Sequence, residues 1–190
     1  MGKKLVKNSP SEFYLEFDLV ELFNSEVTDD IAVSFGQSVI DKILQRTSNG
    51  RRVDGSSFKH YSEDYSESLE FQAAGKDKSS PDLELSGGML ADMDILEASP
   101  RRVKIGFTDP TEMAKAYNHH TGDTLPERPF FDLNKSELDA LIKDFAPSVE
   151  DSPLAIDPSI FSDSPTVVQQ EAARRISLLD LLDEMEGGLF

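Results

Sequence analysis

Phe13-Tyr14-Leu15-Glu16-Phe17-Asp18-Leu19-Val20 is the stretch that decides the fold: Phe13, Leu15, Phe17 and Leu19 share one face of an extended chain, and Tyr14, Glu16 and Asp18 share the other. A period of two with one wet face predicts a strand lying on a core. Just beyond it, Thr28-Asp29-Asp30 offers a capping side chain and two carboxylates at the positive end of a helix. Val27, Ile31, Phe35, Val39, Ile40, Ile43 and Leu44 then fall on one stripe, and Asn49-Gly50 stops the helix.

Residues 50–88 read as irregular. A hairpin follows, in which Met89, Ala91, Met93 and Ile95 alternate with polar or outward positions, turn near Ser99-Pro100, and are answered by Val103, Ile105 and Phe107. Pro110 at a first helical position, with Asp109 before it and Gly122 behind, marks a short helix. Asn134-Lys135-Ser136-Glu137 is a capping-box pattern for another helix, expected to end at Ala146 before Pro147. Pro147, Pro153, Pro158 and Pro165 predict an extended linker over 147–164. After Ser164-Pro165, Val168, Ala172, Ile176, Leu179, Leu182 and Met185 recur at helical spacing until Gly187-Gly188. The expectation is an α+β fold: an antiparallel sheet with helices on one face over 1–146, the linker 147–164, and a C-terminal amphipathic helix over 165–190.

The 190 residues carry 19 basic and 36 acidic side chains, a net charge of −17, and no cysteine. That field repels phosphate backbones, which argues against a protein that grips nucleic acid. Without cysteine there are no disulfides, thiol nucleophiles or zinc–thiolate sites. The uncharged run Ile31 to Ile40 is ten residues, about half a membrane span, and Lys3, Lys4 and Lys7 lead into no apolar segment. A soluble acidic protein of a reducing compartment is expected, with no membrane contact.

Catalytic motifs are missing: there is no phosphate-cradling glycine loop, no Gly-x-Ser-x-Gly elbow and no His-Glu-x-x-His. Asp92 and Asp94 would share a strand face and could hold a divalent cation, but Ile95 and Leu96 stand where a calcium loop needs glycine. The neighbouring His119 and His120 point about 100° apart on a helix and suit its negative end better than a shared ion. Tyr61 and Tyr65, four apart, suit ring packing with wet hydroxyls. Arg128-Pro129-Phe130-Phe131 puts two rings in a loop, where they must either cap the core or meet a partner; Arg128, Phe130 and Phe131 are therefore candidate contact residues. No catalytic, metal-binding or cofactor-binding residues are assigned.

In order along the chain stand Gly55, Phe58-x-x-Tyr61-Ser62-x-x-Tyr65, Leu85-Ser86-Gly87-x-Met89, Val103-Lys104-Ile105-Gly106, Ala114 with His119 and Gly122, and Arg128-Pro129-Phe130-Phe131-Asp132-Leu133. This series, over about residues 10–146, resembles the virion morphogenesis, neck and tail-completion proteins of tailed double-stranded DNA phages. Glu67 and Glu70 depart from the pattern by standing where lysine is expected, and the acidic 147–190 extension lies outside it. The resemblance implies a structural virion protein, assembled in the host cytoplasm. It would form a six- or twelve-fold ring at the head–tail connector or tail end, beside connector, portal-side or tail tube proteins, with DNA only as passing cargo. An acidic binding module or inhibitor mimicking nucleic acid is the alternative from another class, and a metal-dependent hydrolase built on Asp92 and Asp94 is a third.

The stripe from Val168 to Met185 is long enough to need cover. Eighteen linker residues reach about 60 Å when extended, far enough to leave the parent subunit. The hypothesis that follows is helix-in-groove docking on a neighbouring subunit, with Ile176, Leu179 and Leu182 as anchors; the alternative is a helix folded back on its own body. Deletion of 165–190 should leave a folded body that assembles poorly, measured by circular dichroism and by particle assembly; normal assembly of the truncated chain would refute the docking.

Overall fold

The alternating stretch sorts core from solvent as its pattern demands, with Phe13, Leu15 and Phe17 fully buried and Glu12 and Asp18 exposed. The computed structural model describes residues 2–150 apart from 77, 78, 80, 84–86 and 124. These belong to the first of two units of the chain, 1–155 and 156–190. The described elements run β1 (Lys3–Ser9), β2 (Glu12–Asp18), α1 (Leu19–Phe23), α2 (Asp29–Ser48), α3 (Glu63–Ser66), α4 (Leu69–Ala73), α5 (Gly88–Ala91), β3 (Met93–Ser99), β4 (Arg102–Phe107), α6 (Pro110–Thr121) and α7 (Lys135–Glu150). The four strands make one antiparallel sheet in the order β1-β2-β4-β3. The fold is α+β.

One face of the sheet carries the helices. Thr28 caps α2 by accepting from the Ile31 N–H at 3.3 Å, and Asp29 and Asp30 sit in the first turn. Its stripe of Ala32, Phe35, Val39, Ile40 and Ile43 is buried against β3 and β4, while Ile31 is only partly covered. Phe35 meets the rings of Phe17, Phe23 and Phe145 edge-on, at 5.5, 5.8 and 5.6 Å between centroids, and so joins sheet, α1, α2 and α7. Beside it, Gly36 lets the helix backbone approach the sheet. A Cβ there would lie 2.8 Å from Ile95 Cδ1 and 3.1 Å from Val103 Cγ1. Asp109 caps α6 through the N–H groups of Thr111 and Glu112, and Ala116, Tyr117 and His120 of that helix pack toward Phe13.

Three features depart from the sequence expectation. Strand β1 precedes the one read first; its three lysines hide it, because an edge strand needs apolar residues at few positions. The hairpin starts at Met93 rather than Met89, since Met89 and Leu90 are buried in the single turn α5, and a register shift follows between Ile95 and Glu97. Helix α7 continues past Ala146 and through Pro147 to Glu150. Leu138, Leu141, Phe145 and Val149 explain why: they recur at helical spacing and pack on the core, which outweighs the single hydrogen bond that proline removes. The body therefore extends beyond 146, and the rest of the expected linker and terminal helix lies outside the described residues.

Truncating Phe35 to alanine should cost about 3–5 kcal/mol in urea unfolding, because three rings lose a common partner. Gly36→Ala isolates the close approach. On an open helix it would stabilise by about 0.5–1 kcal/mol; here it should destabilise by about 1–2 kcal/mol, since Ile95 and Val103 must give way. A higher denaturation midpoint for Gly36→Ala would show that the sheet yields freely.

Candidate functional site

The segment 50–88 is not shapeless. Ser62 accepts from the Tyr65 N–H and Ser68 from the Phe71 N–H, both at 3.3 Å, and each hydroxyl starts one short helix, α3 and α4. The two turns gather Tyr61, Tyr65 and Phe71 into a three-ring cluster with centroids 5.2–5.4 Å apart. Ring packing is thus what the Tyr61/Tyr65 spacing encodes.

Arg128 comes to this cluster from the far side. Helix α6 ends at Gly122, whose φ of 75° is left-handed, and a Cβ there would meet Glu127 at 2.7 Å. The chain can therefore fold straight back on the helix end, and the Arg128 N–H donates to the His119 carbonyl at 2.7 Å. The Arg128 side chain, 2 % exposed, donates from Nε to the Lys59 carbonyl at 3.1 Å and from Nη2 to the His60 carbonyl at 3.4 Å. Its guanidinium carbon lies 5.0 Å from the centre of the Tyr61 ring. No carboxylate among the described residues pairs with it.

Between the two sides lies a cavity of about 250 Å³, walled by Tyr61, Tyr65, Leu83, His119, Leu125 and Arg128. Leu83 is held at φ 62°, a conformation that costs a bulky residue free energy, and its side chain is buried. Burial pushes the Tyr61 phenol pKa up, and the nearby Asp82 charge adds to this; Tyr65 is raised by burial and then by Tyr61. Both phenols are donors at neutral pH. Burial lowers the Arg128 pKa while the two tyrosines oppose it. Burial and then Arg128 bring His119 down to about 4, and its Nδ1 has no hydrogen-bond partner.

The other half of the Arg128 loop points into the core. Phe130 and Phe131 have no exposed surface, and Phe131 packs on Phe13 and Phe107 at 4.9 and 5.0 Å. As contact residues on the outer surface, Arg128, Phe130 and Phe131 are therefore ruled out in the folded body: the capping alternative is the one realised. The reason is area, since two adjacent rings bury far more surface than a loop of this length can leave exposed. Ile176, Leu179 and Leu182 lie outside the described residues.

The loop's backbone is satisfied by side chains that sequence reasoning passed over. Arg46, 8 % exposed, donates to Glu137 and to the carbonyls of Phe130 and Asp132. Lys3 donates to Asp132 at 2.7 Å and to the Leu133 carbonyl. A signal for Arg46 was present: it follows Ile43 by three and Val39 by seven, on the buried stripe of α2. Asp92 and Asp94 do not share a strand face, because Asp92 precedes β3 and accepts from Thr108 and the Asp109 N–H. Among the described residues no group of three or more His, Asp or Glu could hold a metal ion, and no helix is long and apolar enough to cross a membrane.

His120 departs from the expectation of a charged imidazole at a helix end. Burial, with Lys7 next, lowers it to about 4, and its Nδ1 accepts from the Phe131 N–H at 3.2 Å, so the nitrogen is unprotonated. Desolvation outweighs the helix dipole here. No family model, no curated protein and no solved structure matches the chain.

The two imidazoles give stability a pH dependence with a definite sign. Both are neutral in the folded body, whereas in the unfolded chain they charge below about 6.5. Their contribution is complete above pH 6.5 and is lost as pH falls toward 4, where His120 alone accounts for about 3 kcal/mol. Urea midpoints recorded from pH 7.5 to 4 should fall through this window, and His120→Gln should flatten the fall by about one proton. An unchanged slope in that variant would mean His120 is protonated in the fold.

Proposed function

We propose that the chain is a structural subunit that assembles head-to-tail into a ring, in keeping with its resemblance to the neck and tail-completion proteins of tailed phages. The observation that carries this reading is the charge on the two outer strands of the sheet. β1 and β3 are the outer strands. β1 presents Lys4 and Lys7, both exposed, and no acid; β3 presents Asp94 and Glu97, both exposed, and no base. Like edges repel and unlike edges attract, so β1 of one copy suits β3 of the next. β1 runs opposite to β2, β2 to β4 and β4 to β3, so that junction continues the sheet antiparallel. Such a heterologous contact closes into a ring when the rotation per subunit allows it.

A second support is that the residues of the resemblance meet one another. Phe58, Tyr61, Tyr65, His119, Arg128 and Phe131, spread over more than seventy positions, are spent on joining 50–88 to the core. Residues used in this way build a body and leave its edges for assembly. A place in the virion neck or tail end, next to connector, portal-side or tail tube proteins and with DNA as cargo, is the setting that fits a ring of this kind.

Native mass spectrometry and electron microscopy of the full chain should show closed oligomers, six- or twelve-fold. Lys4→Glu with Lys7→Glu should yield monomers, as should Asp94→Lys with Glu97→Lys. Mixing the two double variants should restore mixed contacts between a reversed β1 and a reversed β3. A monomeric wild-type chain, or rings unaffected by either charge reversal, would remove the basis of the proposal.

A further inference from the structure

We infer that the cavity between the Tyr61–Tyr65–Phe71 cluster and Arg128 is a binding site for a small aromatic monocarboxylate. The inference is independent of ring assembly, since the cavity lies on neither sheet edge.

Four observations set the ligand class. First, the cavity holds a guanidinium with no carboxylate partner among the described residues, and only Nε and Nη2 of its donor atoms are used by the Lys59 and His60 carbonyls. A planar fork with unspent N–H groups matches a carboxylate in geometry and charge. Second, Arg128 is the sole cation among the described residues that line the cavity, once His119 is neutral. His119 is neutral, because burial holds it near 4, so one negative charge is compensated and two are not. Phosphate would bring nearly two charges into a protein of net charge −17.

Third, the remaining walls are apolar or aromatic. Leu83, Leu125 and Pro126 supply aliphatic surface, and the Tyr61 and Tyr65 rings supply flat faces with hydroxyl donors. A ligand with a flat apolar body attached to its carboxylate uses both halves. Fourth, about 250 Å³ lies below the roughly 300–1,000 Å³ usual for drug-sized ligands, which limits the body to about one ring. Leu83, one of the wall residues, has a left-handed backbone at φ 62° and a buried side chain.

Benzoate is the probe, with benzyl alcohol as its uncharged counterpart and inorganic phosphate as the competing anion. Titrations of the full chain are followed by NMR on the tyrosine and histidine ring resonances. Benzoate should saturate with a Kd of about 1 mM or tighter, benzyl alcohol should bind at least about tenfold more weakly, and phosphate should not compete. Arg128→Lys keeps the charge but loses the fork and should weaken benzoate about tenfold. That variant also touches the Lys59 and His60 carbonyls, so Leu125→Trp serves as a second test. Leu125 is 40 % exposed and makes none of the Arg128 hydrogen bonds, and an indole there should fill the cavity and abolish binding while leaving the unfolding midpoint nearly unchanged. Equal affinity for benzoate and benzyl alcohol, full competition by phosphate, benzoate binding that survives Leu125→Trp, or no saturation by about 20 mM would each overturn the assignment.

Discussion

The guanidinium of Arg46 is the interaction on which the rest of the body depends. Residues 128–134 form a loop inside the protein, and an inward loop brings carbonyls that no ladder satisfies. Arg46 reaches from the last turn of α2 to the carbonyls of Phe130 and Asp132, while its other nitrogen meets Glu137. Glu137 in turn accepts from the Asn134 N–H at 3.0 Å, and Asn134 accepts from Glu137 N–H at 2.9 Å, which closes the capping box of α7. One side chain thus fixes the end of one helix, the path of a buried loop and the start of another helix. Replacing it by an apolar residue would take a charged donor from Glu137 and from the Phe130 and Asp132 carbonyls, leaving Glu137 the Asn134 N–H and the Phe130 carbonyl the Asp132 N–H, the costly side of the hydrogen-bond asymmetry.

That constraint couples the core to the cavity. Phe130 and Phe131 are pinned under the sheet by Arg46 from one side and by the His120 acceptor from the other. Arg128, two residues earlier, then has little freedom: its N–H is held by the His119 carbonyl and Val53 N–H holds the Pro129 carbonyl at 2.9 Å. The guanidinium that faces Tyr61 is therefore positioned by the packing of its neighbours, and rigid placement is what a single-cation site needs to favour one ligand shape. The same coupling explains why the neutral state of His120 matters. A protonated ring could no longer accept from the Phe131 N–H, and the loop would lose one of its anchors.

Much of this was legible from local pattern. The 13–19 alternation, the Thr28 cap with its stripe to Leu44, the Ser99-Pro100 turn, Pro110 as a first helical residue and the Asn134–Glu137 box all turn on contacts within a few residues, and all are realised. What failed depends on contacts distant in sequence. The inward direction of Phe130 and Phe131 is set by Phe13, Phe107 and Arg46, eighty or more residues from the loop in the case of Arg46. The passage of α7 through Pro147 is set by what Val149 packs against, and the short helices in 50–88 gain their stability from rings that meet only after folding. Strand β1 is a case of weak signal: Leu5 pairs with Leu15 on the core face, but Lys3 and Lys7 flank it on that face and Lys4 lies on the other, so no apolar alternation stands out.

The face of the sheet turned away from the helices carries charges in ordered rows. Register places Lys4 beside Glu16, Glu16 beside Lys104, and Lys104 beside Glu97, a row of alternating sign across all four strands. The next row puts Asp18 beside Arg102. Lys104 also lies 3.8 Å from the centre of the Tyr14 ring, covering its apolar surface. Neighbouring opposite charges of this kind stabilise the sheet modestly and balance one another in these two rows, while the row of Val6 and Tyr14 beside them is largely apolar. At its margins the row ends in Lys4 on β1 and in Glu97 on β3, each with an oppositely charged neighbour on its inner side. Because the row begins with a cation and ends with an anion, a second copy set beside the first continues the same alternation without a like-charge neighbour.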